Sequence, residues 1–171
     1  MFESNSLQRL QDERQIESVL IAYCRCLDTM ELDELAMQFT EDCVVSYGPE
    51  PVLNSKGRGA VRRDLARLWR WRRTAHHLSN VEIRFHDNDR ARAMSAVMAW
   101  HERIGADGEV ATATVFGRYT DEFVRTGDGW RIANRTMSMA GCDTNFKLNL
   151  HALPRRAPPV DWVAPDVEAD R

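Results

Sequence analysis

Three clusters of turn residues, His86-Asp87-Asn88-Asp89, Gly105-Ala106-Asp107-Gly108 and Gly127-Asp128-Gly129, cut the second half of the chain into long extended runs. Val81, Ile83 and Phe85 alternate with Glu82 and Arg84 before the first cluster. Runs over Arg90 to Ile104, Glu109 to Val124 and Trp130 to Met139 follow. Connections this short join antiparallel neighbours, because parallel strands need a crossover of a dozen or more residues. A meander of long antiparallel strands is therefore expected from Val81 onward.

The first half is helical. Leu7, Leu10, Ile16, Val19, Leu20, Tyr23 and Leu27 fall at helical spacing, which predicts one long helix from about Leu7 to Asp28. A short second helix is expected over Asp33 to Phe39, then a strand over Cys43 to Tyr47 closed by Gly48-Pro49-Glu50-Pro51. A third helix is expected over Gly59 to Trp71, with Val61, Leu65, Leu68 and Trp69 on one stripe and Arg62, Arg63, Arg67 and Arg70 mostly off it. Helices first and an antiparallel meander second is an α+β arrangement. The strands are rich in small residues, among them Ala91, Ala93, Ser95, Ala96, Ala99, Ala111, Ala113 and Gly117. A curved sheet so built leaves either an open pocket under the helix or close helix-on-sheet packing.

With 171 residues, 43% of them hydrophobic, there is material for one well-buried core and too little for two. One domain is expected over residues 1–141. Beyond it Leu148, Leu150, Leu153, Val160 and Trp162 are scattered among Pro154, Pro158, Pro159 and Pro165, which predicts an irregular C-terminal arm over 142–171. Such an arm suits packing on the domain itself or on a neighbouring subunit, so a homo-oligomer is expected, a trimer ahead of a dimer.

A net charge of -3 with 29% charged residues gives no global field for nucleic acid or an acidic membrane. No apolar run approaches the ~18 residues of a bilayer span, and Met1-Phe2-Glu3-Ser4 lacks the pattern of a secretory signal, so a cytoplasmic protein is expected. Cys24, Cys26, Cys43 and Cys142 show no metal-finger spacing. Cys24 and Cys26 diverge by about 200° on a helix, and reduced thiols with no metal are expected. One local charge anomaly stands out: Lys56, Arg58, Arg62, Arg63, Arg67, Arg70, Arg72 and Arg73. It reads either as a solvated helix face or as a phosphate site, including one for the nucleotide end of a coenzyme A thioester.

Candidate chemistry begins at the end of the long helix, in Tyr23-Cys24-Arg25-Cys26-Leu27-Asp28. Asp28 meets the negative end of the helix dipole, so its position is not chosen for helix stability. It is either an exposed turn residue or a functional acid. Thr74-Ala75-His76-His77-Leu78-Ser79-Asn80 offers two histidines where the third helix gives way to the first long strand. A carboxylate on one ring nitrogen would fix a histidine's tautomer and stabilise its imidazolium. Tyr23 and Tyr47 are phenols able to donate to a carbonyl oxygen that gains charge. His101, within Ala99-Trp100-His101-Glu102, is a supporting candidate, and Trp100 and Phe116 are candidate pocket wall.

These residues resemble the SnoaL-like members of the nuclear transport factor 2-like superfamily, within them the scytalone dehydratase and bile acid 7α-dehydratase group. The resemblance spans about residues 10 to 140. Besides Tyr23 to Asp28 and Thr74-Ala75-His76 with Asn80, it rests on Asp33-Glu34-Leu35, Val45-Ser46-Tyr47, Gly117-Arg118-Tyr119 and Asp128-Gly129-Trp130-Arg131-Ile132. It implies a cone-shaped α+β barrel of three N-terminal helices on a strongly curved, mostly antiparallel sheet. It implies a cofactor-free elimination next to a carbonyl of a hydrophobic cyclic or polycyclic small molecule or a coenzyme A thioester. Asp28, His76, Tyr47 and Tyr23 would be catalytic, and His77, Trp100, His101, Phe116 and Arg118 would bind substrate. The family's haloalkane-eliminating members share the acid and histidine, so the resemblance fixes proton abstraction and leaves the departing group open. An isomerase of the ketosteroid kind and a non-catalytic small subunit or ligand-binding protein are the alternatives. Two departures stand out: Ser95 occupies the place of a second strand histidine, so that hydrogen-bonding role is absent or has moved to His101, and strict alternation puts His77, not His76, on the face of Val81 and Ile83, so the choice of His76 requires a bulge or an irregular entry near Ser79.

Overall fold

A computed structural model describes residues 2–105, 107–144 and 150–151. Three helices, α1 (Phe2–Thr29), α2 (Leu32–Ala36) and α3 (Arg58–Leu65), precede most of the sheet. The strands are β1 (Phe39–Ser46), β2 (Asn54–Lys56), β3 (Arg73–Phe85), β4 (Arg90–Ile104), β5 (Val110–Thr126) and β6 (Gly129–Asp143). They form one sheet in the order β2-β1-β6-β5-β4-β3, antiparallel except where β1 runs parallel to β6. The expected α+β barrel architecture is therefore present. No helix among the described residues is long and apolar enough to cross a membrane.

Helix α1 buries Ile16, Leu20, Tyr23 and Leu27 against the concave face of the sheet. Leu7 and Leu10, expected on the same stripe, are each 59% exposed. The helical wheel gives the reason: at about 100° per residue they lie roughly 180° and 120° from Ile16. The core-facing positions on those turns are Arg9, whose guanidinium covers the Phe85 ring at 4.0 Å, and Asp12. Asp12 is buried and accepts hydrogen bonds from the Trp130 indole (3.1 Å), Arg125 (2.7 Å) and Gln8 (3.2 Å).

Other boundaries moved too. The second helix stops at Ala36 rather than Phe39. The Gln38 carbonyl accepts from Ile132 N–H, which draws the chain into the sheet and leaves Phe39 fully buried at the start of β1. Third-helix geometry tightens after Leu65 into a 3₁₀ segment over Ala66–Arg70. At three residues per turn, Leu65, Leu68 and Trp71 form one row, Arg67 and Arg70 a second, and Trp69 leaves the expected stripe to stand 64% exposed. The short strand β2 was not legible in its polar sequence. The boundary expected at residue 141 falls inside β6, which ends at Asp143, and most of the expected arm (145–149 and 152–171) lies outside the described residues. All four cysteines are free thiols.

Two irregularities reset which residues face the core. In β3 the pairing to β4 shifts between Ser79 and Glu82, where Asn80 adopts φ 50°. Asn tolerates this left-handed conformation better than most residues, and the extra residue switches the inward parity from even to odd. In β6 a shift against β5 near Ala133 takes the buried set from Trp130 and Ile132 to Arg135 and Met137. Gly117 permits close approach beside another shift, since a Cβ there would lie 2.8 Å from the Ser138 carbonyl oxygen.

At the centre of the core Arg135 makes two bonds to Asp121 (2.7 and 2.8 Å), both side chains fully buried. Its guanidinium lies 4.0 Å from the Tyr23 ring centroid and 4.2 Å from that of Tyr119. Removing one partner strands a buried charge. Arg135→Met should therefore cost about 3–5 kcal/mol in urea unfolding, while Arg135→Met with Asp121→Leu should recover most of that loss. Equal losses in the single and double variants would contradict this account.

Candidate active site

The last turn of α1 and the first residues of β3 meet at the open end of the barrel. Asp28 lies about 120° from Ile16 on the helical wheel, off the core stripe, but β3 wraps far enough to cover it. Its Oδ1 accepts from the Thr74 hydroxyl (2.8 Å) and from His76 Nδ1 (2.6 Å), and its Oδ2 accepts from the His76 backbone N–H (2.9 Å). Burial disfavours the carboxylate, but the hydrogen bonds and charge of His76, with Thr74, outweigh it and hold the carboxyl below its usual range. An ionised carboxylate only accepts hydrogen bonds. His76 Nδ1 must then carry the proton, which leaves Nε2 as the basic nitrogen of the neutral ring.

Strand β3 begins at Arg73, so Thr74 to Asn80 is strand and not a junction. Thr74 and His76 point inward and His77 is exposed. The parity switch between Ser79 and Glu82 reconciles an inward His76 with the partly buried Ile83 and Phe85 further along. The His76 side chain is 4% exposed and that of Asp28 25%.

His76 lines a cavity of about 140 Å³ beneath α1. Tyr23 and Leu27 come from α1, Tyr47 follows β1, and Ala99, His101, Ala113, Val115, Tyr119 and Met137 come from the sheet. The small-residue strands serve two ends: Ala91 and Ala93 are closely packed in the core, while Ala99 and Ala113 border open space. The Tyr23 and Tyr47 hydroxyls are 2.6 Å apart. Burial pushes both phenols well above their ordinary range, so both are neutral donors near pH 7. One hydroxyl donates to the other, and the second proton remains for another acceptor.

His101 lies in the same wall, its ring centroid 5.5 Å from that of His76 and 5.1 Å from that of Trp71. Burial, with the nearby charge of His76, lowers it to about 4, and its Nδ1 is buried without a hydrogen-bond partner. His101 thus adds a neutral imidazole to the cavity wall. Ser95 is buried elsewhere, its hydroxyl also unpartnered, and does not line the cavity.

The other expected substrate-binding residues do not join them. His77, Trp100, Phe116 and Arg118 occupy positions on the outer face of the sheet, because the inward residues of β3 are even-numbered from Thr74 to Leu78 and those of β4 and β5 are odd-numbered from Ala91 to His101 and from Ala113 to Phe123. Phe116 is 44% exposed. The sequence reading missed Thr74 as a partner of Asp28 and Leu53, Leu65, Leu68, Trp71 and Leu150 as cavity wall. The 3₁₀ rows were the available signal for Leu65, Leu68 and Trp71. Leu150 and His151 return to the barrel, with His151 Nε2 2.8 Å from the Ser46 hydroxyl.

Residues 8–136 match the SnoaL-like domain. The chain belongs to the SnoaL-like family. Its fold is shared with a crystal structure named "Putative Scytalone Dehydratase" from Novosphingobium aromaticivorans DSM 12444, with a TM-score of 0.81 and 28% identity over 89% of this chain and 99% of that one. It is shared also with hexachlorocyclohexane dehydrochlorinase LinA-type3 from Novosphingobium barchaimii LL02, with a TM-score of 0.70 and 18% identity over 88% and 99% of the two chains, a likeness of fold alone. The uncharacterised protein Rv2910c of Mycobacterium tuberculosis is 27% identical over 76% of this chain and 86% of its own length.

The lowered His101 sets a pH dependence. An unfolded histidine takes its proton near 6.5 and the folded one near 4, so between those values the unfolded chain binds more protons and stability falls as pH is lowered. The loss attributable to His101 is about 3 kcal/mol. Urea unfolding across that window should show His101→Asn losing less stability than the parent chain, and equal slopes would contradict the assignment.

Proposed function

We propose that this SnoaL-like protein is a cofactor-independent lyase that eliminates water next to a carbonyl in a cyclic or polycyclic small molecule. The observation that carries the reading is the Asp28 to His76 bond of 2.6 Å at the wall of an apolar cavity that also holds the paired Tyr23 and Tyr47 hydroxyls. Nε2 of His76 takes a proton from the carbon next to the substrate carbonyl, and the electron pair moves into an enolate. The free proton of the tyrosine pair donates to the oxygen that gains charge. Asp28 keeps Nδ1 protonated and stabilises the imidazolium as it forms.

The enolate then collapses, the C–O bond to the β-hydroxyl breaks, and the imidazolium returns its proton to the departing oxygen. One C–H and one C–O bond are lost, one C=C bond is gained, and water leaves with no change in the redox state of the protein. Enclosure among Leu27, Val115 and Met137 strengthens each of these contacts by excluding water.

Turnover of a panel of cyclic β-hydroxy-ketones and thioesters, followed by mass analysis for loss of water, tests the reading. His76→Ala and Asp28→Asn should each lower kcat by about 10²–10⁴, and Tyr47→Phe by about 10²–10³. A product of unchanged mass with a moved double bond would assign an isomerase instead. Unchanged turnover in both His76→Ala and Asp28→Asn would overturn the mechanism.

A further inference from the structure

The basic run between Lys56 and Arg73 resolves residue by residue. Arg58 pairs with Glu41 (2.7 Å), Arg62 with Asp33, and Arg63 with Asp64 (2.9 Å). Arg72 and Arg73 both reach Glu102, at 3.0 and 3.8 Å. Among the described residues, the two arginines of this run without a carboxylate are Arg67 and Arg70, and these are the two that line the cavity.

Their placement follows from local geometry. The 3₁₀ segment Ala66–Arg70 puts residues three apart on one side, so Arg67 and Arg70 stand together beside the apolar row of Leu65, Leu68 and Trp71. Arg67 is held by one bond to the Val52 carbonyl (2.6 Å), and its guanidinium carbon lies 5.9 Å from the Tyr47 ring centroid. That of Arg70 lies 5.7 Å from the Trp71 ring centroid. Burial, then the like charges of Arg67 and Arg103, weaken the hold of Arg70 on its proton. Two cations kept close together at an apolar cavity, while their neighbours are neutralised, make a site that an anion completes.

The geometry points to a substrate that carries its own anionic group, a carboxylate or a phosphate ester, held by Arg67 and Arg70 while its apolar body reaches towards His76. This deepens the lyase reading and rests on it for the word substrate, but binding can be tested without turnover. A carboxylate attached directly to the apolar body fits the fork of a guanidinium, and a phosphate monoester fits it equally well.

The test is calorimetric titration of the full chain with three probes of one shape: 2-naphthamide, 2-naphthoate and 2-naphthyl phosphate. At least one of the two anions should bind about tenfold or more tightly than the neutral amide, since charge-assisted bonds exceed neutral ones. The tighter anion identifies the group. Arg67→Gln with Arg70→Gln should bring that preference to about twofold or less, and Arg70→Gln alone, which keeps the Arg67 to Val52 bond, should lower it in the same direction. Unchanged affinity for 2-naphthamide shows the cavity intact in both variants. Equal affinity for all three probes, or an anion preference that survives the double substitution, overturns the proposal. Asp28→Asn separates the two readings: it should leave the anion preference in place whether or not the parent chain eliminates water.

Discussion

Three hydrogen bonds converge on Asp28, and they fasten the end of α1 to the beginning of β3. The position is electrostatically poor for an acid, half-buried and at the negative end of a helix dipole. Thr74 and His76 compensate by donating to both oxygens. Because one of those donors is a backbone N–H, the strand itself is fixed relative to the helix, and the cavity mouth acquires a defined edge. Because another is an imidazole N–H, the same contact chooses the histidine's tautomer. Joint and chemistry share one carboxylate, so a substitution there is read correctly only when folding and turnover are measured together.

Much of this was legible in the sequence, where periodicity and turn chemistry speak for themselves. The three turn clusters placed the β-meander, and the wheel positions of Ile16, Leu20, Tyr23 and Leu27 placed α1 on it. Tyr23, Tyr47, His76 and His101 stand out in the sequence and line one cavity, and Asp28 joins them through its bond to His76. What periodicity could not supply was the parity of each strand. A single extra residue at Asn80 or near Ala133 exchanges the two faces of a strand, and alternation gives no notice of it. Trp100, Phe116 and Arg118 were misplaced for a related reason. Aromatic and basic residues on a long strand look like pocket wall, yet the small residues between them face the space.

The cavity keeps its polar groups neutral for the most part. Tyr23 and Tyr47 are held as phenols and His101 as a neutral ring above about pH 4, each chiefly by burial. The ionised Asp28 does not itself line the cavity and meets it through the ring of His76 that it bonds. A proton arriving on His76 therefore has a fixed counter-charge, and an oxygen gaining negative charge finds donors that need not reorganise.

The same space is lined by Arg67 and Arg70. Negative charge behind the base and positive charge on the 3₁₀ segment make the two walls of the cavity electrostatically unlike. A molecule with an apolar ring and one anionic end has lower energy in one of its two orientations, because reversal would bring its charge towards Asp28 and leave the two guanidinia facing apolar surface. Orientation of this kind matters most where the reacting C–H bond must meet a single nitrogen. The Asp28 to His76 bond already restricts that nitrogen to one direction, so a substrate fixed at its far end removes the remaining freedom.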